Sequence, residues 1–286
     1  MPQNLLRMET DLVGVKNDSS EDHPVATERK NKTMSELDFI LVGIAALIGG
    51  AVNALAGGGT LITFPMLTAV GIPAVAANVT NTVALCPGYL GGTFAQIKDL
   101  RGNPGRLWVM SLTGMLGGIA GSLLLLNTGE QTFRMLVPYL ILLASALLAV
   151  QEPVRAWILR RAGEAGTGTV HEAMMVFAVA LSAVYGGYFG AGLGVMVLAV
   201  IGLVLNDTLT RINALKQLVS LATNVAAASF FVFSGKVVWP VALVMAVCAL
   251  IGGTMGGRLA GRIRPVVLRT IVVIIGVVIA GIYLVR

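Results

Sequence analysis

The chain has 286 residues, 56% of them hydrophobic and only 12% charged, with a mean hydropathy of +0.85. A soluble domain carries roughly a quarter charged residues, so a soluble globular fold is excluded and an all-α polytopic membrane protein is expected. The formal charge of +6 falls between apolar segments, which reads as cytoplasmic loops and not as a nucleic-acid surface.

Residues 1–36 are polar and mixed in charge, and they lack the apolar core of a signal peptide. They read as a disordered N-terminal tail. Apolar segments follow at about 37–57, 60–70, 74–97, 107–126 and 133–150, several of them near the ~20 residues that span a bilayer. Together they make a first transmembrane repeat, 37–150. A cytoplasmic loop is expected over 151–171, with Arg155, Arg160 and Arg161. A second transmembrane repeat, 172–286, has segments at about 172–189, 193–205, 208–233, 237–257 and 266–285.

Sliding the chain by 135 residues aligns the two series without a gap from Ala56 to Leu124. Gly57 falls on Gly192, Gly59 on Gly194, Asn78 on Asn213, and Gly117, Gly118 and Gly121 on Gly252, Gly253 and Gly256. A repeat with an odd number of segments inserts upside down relative to its copy, so an inverted pair is expected. Loop charge agrees: 98–106, 151–171, 206–211 and 258–265 fall on one side and hold nearly all the arginines. The tail, with Arg29, Lys30 and Lys32, then lies outside, which counts against the scheme. The alternative has four spans per half, with 60–70 and 193–205 only re-entrant.

The stretch from Asn53 through Gly57, Gly58, Gly59 and Thr60 to Pro65 lies in a run, Phe39 to Ile97, that contains no charged residue. Consecutive glycines there end one helix and begin another at membrane depth. In lipid, unwound backbone survives only against protein or a wet cavity, so such a break points to a transport site. A helix starting at Thr60 offers free N–H groups and the positive end of its dipole, an anion site. The break recurs at Gly190–Gly194, where Gly192 and Gly194 offer the same. Asn53 and Tyr188 align just ahead of the breaks as donors to a bound oxyanion. Close helix packing explains the glycines equally cheaply.

No segment contains a carboxylate away from its ends. Cation carriers use embedded Asp or Glu, so an anionic or neutral substrate is expected. The deepest charge, Lys216, shares a helical stripe with Asn213, Gln217, Ser220 and Asn224. Snorkelling of Lys216 to the near interface is the competing account. The first half supplies Asn78, Asn81 and Thr82 at matching positions, where interhelical hydrogen bonding competes as the explanation. Enzyme signals are lacking: there is no GxSxG, HExxH or P-loop, and no histidine inside a span. Cys86 and Cys248 have no metal-site spacing, and no cofactor is expected.

At these residues the chain resembles the sulfite exporter TauE/SafE family. The likeness is carried by Asn53–Thr60, Phe64-Pro65, Gly71-Ile-Pro73, Ala77–Asn81, Pro87-Gly88, Tyr185–Gly194, Asn213–Lys216, Val238-Trp239-Pro240 and Gly252–Gly257. The resemblance implies a multi-pass permease of the bacterial inner membrane that moves sulfite or small organosulfur anions, often as export. Val200 stands where the first repeat has Pro65, so the half-sites are expected to be unequal. The resulting expectation is a secondary carrier for a small anion, sulfite or a short organosulfonate, working by rocking one half against the other. An anion channel and a non-transporting membrane scaffold are the rivals, and a homo-oligomer is left open.

Overall fold

A computed structural model describes residues 34–100, 104–161, 169–205, 207–259 and 266–285. Ten α-helices occupy them: α1 (Glu36–Leu55), α2 (Thr60–Ala69), α3 (Ala74–Ala95), α4 (Pro104–Asn127), α5 (Glu130–Arg161), α6 (Thr169–Tyr188), α7 (Leu193–Val204), α8 (Leu209–Val232), α9 (Trp239–Leu259) and α10 (Val266–Val285). These are the ten segments read from hydropathy. Most of the polar tail, and the stretch holding Arg262 and Arg264, lie outside the described residues.

Among the described residues, five helices are long and apolar enough to cross a membrane: α1, α4, α8, α9 and the Glu130–Val154 part of α5. The halves of each broken pair differ in kind. Helix α2 has 10 residues and α7 has 12, so each is about 15–18 Å long at 1.5 Å per residue. That is roughly half a hydrocarbon core. Helix α2 turns back onto α1, with Gly59 and Thr63 lying against Gly49.

Local chemistry sets several ends. Ser35 opens α1 with a capping box, each side chain of Ser35 and Asp38 bonded to the other's backbone N–H. Glu130 reaches across from the start of α5 to cap α3, its two oxygens accepting from the amides of Ala74 at 2.5 Å and Val75 at 3.0 Å. Pro73 precedes that helix and Pro87 lies inside it, yet α3 remains one helix. The expected loop at 151–171 differs: α5 continues through Glu152 and Pro153 to Arg161, and α6 already begins at Thr169. Glutamine, glutamate, alanine, leucine and arginine there are good helix formers and carry the helix beyond its apolar part.

The two series pack by exchange. Helix α9 of the second series packs on α1 and α3 of the first, while α4 of the first packs on α6 and α8 of the second. Other pairings have counterparts under the same swap: α1·α2 with α6·α7, α1·α3 with α6·α8, α2·α3 with α7·α8, and α5·α7 with α10·α2; α3·α8 and α5·α10 map onto themselves. Glycines make the exchanged contacts close. Gly50 and Gly88 lie against Ala249, Gly256 against Ala51, Gly114 against Val219 and Thr223, and Gly117 against Ala180 and Ala183. Backbones meet there without a Cβ between them, the usual basis of helix association in lipid.

Candidate functional site

The two breaks are left-handed turns that only glycine adopts freely. Gly57 has φ +80°, and Gly190 and Gly192 have φ +81° and +82°. In the first break, Asn53 turns its side chain inward, and its Oδ1 accepts from the N–H of Gly59 at 2.8 Å. Asn53 thus ties the end of α1 to the start of α2.

The breaks meet each other. A methyl group on Gly57 would stand 2.9 Å from the Cα of Gly194, and one on Gly59 would strike the carbonyl of Gly49. Helix α5 lies alongside, with Leu148 against Gly58 and Ala144 against Gly192. The amides of Thr60 and Gly194, at the starts of α2 and α7, have no hydrogen-bond acceptor among the described residues. They are the orphan donors that a helix N-terminus leaves.

Helix α3 brings its polar face to both breaks. Asn78 Nδ2 donates to the carbonyl of Tyr188 at 2.8 Å, and Asn81 Nδ2 donates to Thr60 Oγ1 at 3.4 Å. Thr82 bonds back to the carbonyl of Asn78. Each amide nitrogen of Asn78 and Asn81 therefore spends one of its two N–H groups, and their buried oxygens have no partner among the described residues.

Helix α8 brings the charge. Lys216 is 1% exposed, and its Nζ has neither a hydrogen bond nor an ion pair among the described residues. Its stem runs past Gly194, where an added methyl group would lie 3.6 Å from Cδ. The ammonium does not snorkel out of the chain. Gln217, packed on Gly92, and Ser220 are equally buried, with no partner for the Gln217 amide or the Ser220 hydroxyl.

Two expected residues point elsewhere. Tyr188 donates its hydroxyl to Thr128 Oγ1 at 3.4 Å, and its ring packs edge-on against Phe133. Only its carbonyl faces α3. Asn213 is half-buried and donates to Gln96 Oε1 at 2.6 Å, tying α8 to the end of α3. Conversely, Tyr185 was not singled out, though its buried hydroxyl has no partner one turn before the second break. The signal is a second phenol three residues ahead of Tyr188, in the mostly apolar stretch that leads into the break.

Paired helix breaks that meet inside a bundle, lined by unpartnered donors and one buried cation, define a membrane transporter of the broken-helix kind. Residues 42–284 match the sulfite exporter TauE/SafE family, and the chain belongs to that family. It is similar to three proteins each described as a "Probable membrane transporter protein". One from Haemophilus influenzae is 27% identical over 79% of this chain and 87% of that protein. ORF9 of a Sinorhizobium species is 26% identical over 86% and 94%. YfcA of Escherichia coli K12 is 25% identical over 85% and 89%.

Proposed function

We propose that this transporter is a secondary carrier of the bacterial inner membrane for a small anion, with sulfite or a short organosulfonate favoured. One observation carries the reading: Lys216 is buried with no counter-charge among the described residues. An uncompensated charge inside protein costs several kcal/mol, and a negative solute recovers that cost. The free amides of Thr60 and Gly194 and the donors of Gln217 and Ser220 complete the requirement of an oxyanion for convergent N–H and O–H groups. Asn53, Gly57, Gly58, Gly59, Gly192, Asn78, Asn81 and Thr82 shape and support the site. The exchanged packing of α4 and α9 makes two bodies, α1–α3 with α9 and α6–α8 with α4, the units that rock for alternating access. Each repeat lies inverted relative to the other in this scheme.

The test is ligand-dependent stability of the detergent-purified protein across sulfite, sulfate, sulfonates and carboxylates. A bound anion raises the unfolding temperature by mass action. A selective rise with sulfite or a sulfonate is the expected result, and no response to any anion refutes the reading. In vesicles, uptake that saturates and follows a coupling gradient separates a carrier from a channel.

A further inference from the structure

We propose that the face of α3 beside the end of α6 binds a monovalent metal cation through the side-chain oxygens of Asn78 and Asn81 and carbonyls at the α6 C-terminus. The argument begins with the atoms already committed. Asn78 Nδ2 donates to the Tyr188 carbonyl at 2.8 Å. A carbonyl only accepts, so this bond fixes which way the amide points and leaves its oxygen over. Asn78 is fully buried, and that oxygen has no partner. Asn81, one turn on, places its nitrogen 3.4 Å from the Thr60 hydroxyl and leaves its buried oxygen without a partner among the described residues; a hydroxyl donates as well as accepts, so the fixed orientation is that of Asn78. Residues three apart share a helix face.

Acceptors have the wrong sign for an oxyanion. The backbone beside them has the same sign, because Tyr188 is the last residue of α6 and the final carbonyls of a helix form the negative end of its dipole. Interrupted membrane helices offer such C-terminal ends to cations and their N-terminal ends to anions. Hard cations take oxygen ligands. No Asp or Glu is buried among the described residues, so nothing offsets the second charge of a divalent ion. A set of neutral oxygens suits one positive charge, that of sodium or potassium. The site stands on α3 and α6 alone; only its use as a coupling-ion site rests on the carrier reading.

The experiment measures unfolding temperature of the purified full-length protein in sodium, potassium or choline chloride at constant ionic strength, with no sulfite or sulfonate present. A saturable rise with sodium or potassium over choline is expected. Half-saturation should move up about tenfold or more in Asn78→Ala, since even outer-shell partners of a bound metal are worth that much. Asn81→Asp keeps an oxygen and adds a charge, so it should move half-saturation down. Wild-type protein that answers choline and sodium alike, and potassium no better, overturns the site. So does a response that both Asn78→Ala and Asn81→Ala leave unchanged. If Asn78→Ala does not fold, Asn81→Asp decides, and a weakened or unaltered response there is equally fatal. Lys216→Gln should retain the cation response. Its loss of the anion response alone therefore bears on the anion reading, and anion binding without a cation response sinks this site only.

Discussion

Gly57 and Gly194 face each other with no room for a side chain on either: a methyl group on Gly57 would lie 2.9 Å from the Cα of Gly194, and one on Gly194 would lie 3.0 Å from the Cα of Gly57. The contact joins the first helix break to the second. Gly57 also holds φ +80°, so Gly57→Ala combines a clash with backbone strain of about 1–3 kcal/mol. A lower unfolding temperature and loss of transport are expected. Gly71→Ala is the control, because its φ of +97° is as strained but nothing lies within 4 Å. It should cost about 1 kcal/mol and leave transport intact, as flux in vesicles will show.

Lys216→Met should make the ligand-free protein more stable. Removing a buried charge that has no partner relieves a desolvation cost, with a gain of about 1 kcal/mol or more. The same variant should transport at least tenfold more slowly and lose its response to anions. Unfolding curves with and without sulfite check both halves of the statement.

A single cysteine distinguishes the units that move. A Cβ on Gly43 of α1 would stand 3.4 Å from the sulfur of Cys248 on α9, within reach of a disulfide after a small rotation. Gly43→Cys in a Cys86→Ser background is expected to oxidise and still transport at the rate of the reduced protein, because the proposed rocking scheme moves the packed pair α1 and α9 together. If residues 37–150 moved as a block against 172–286, the oxidised form would be inactive.

The cap on α3 is a further checkpoint. Both carboxylate oxygens of Glu130 accept from the first amides of α3, so Glu130→Ala should cost about 1 kcal/mol of stability. Glu130→Gln keeps one acceptor but loses the charge that the helix dipole favours, and should fall between. Thermal unfolding at low and high salt reads the difference, which shrinks as salt rises.

Much of this architecture was legible in the residues themselves. Glycines 57–59 inside an uncharged apolar run announced a break, and Gly190–Gly194 announced its partner. Lys216 stood out because no other charge lies so deep. What periodicity does not encode is which helix lies beside which. The insertion of α4 and α9 into the opposite series depends on glycine faces that look alike in sequence. Orientation within the site was equally hidden. Asn53 spends its oxygen on Gly59 across the break, and Tyr188 sends its hydroxyl to Thr128, 60 positions away just past the end of α4, partners that helical periodicity does not reveal. Glu130 caps a helix that starts 56 positions earlier, a relation that only the folded chain contains.

The exchange of α4 and α9 also constrains how the protein is made. The groove between α1 and α3 that α9 fills stays vacant until Leu259 has been synthesised and inserted. A nascent chain stopped after the first five helices would carry two glycine-lined seams with nothing to fill them. Quality control at the membrane thus has a definite early target. One unit of this design, encoded alone, would have to borrow its missing helix from a sister copy.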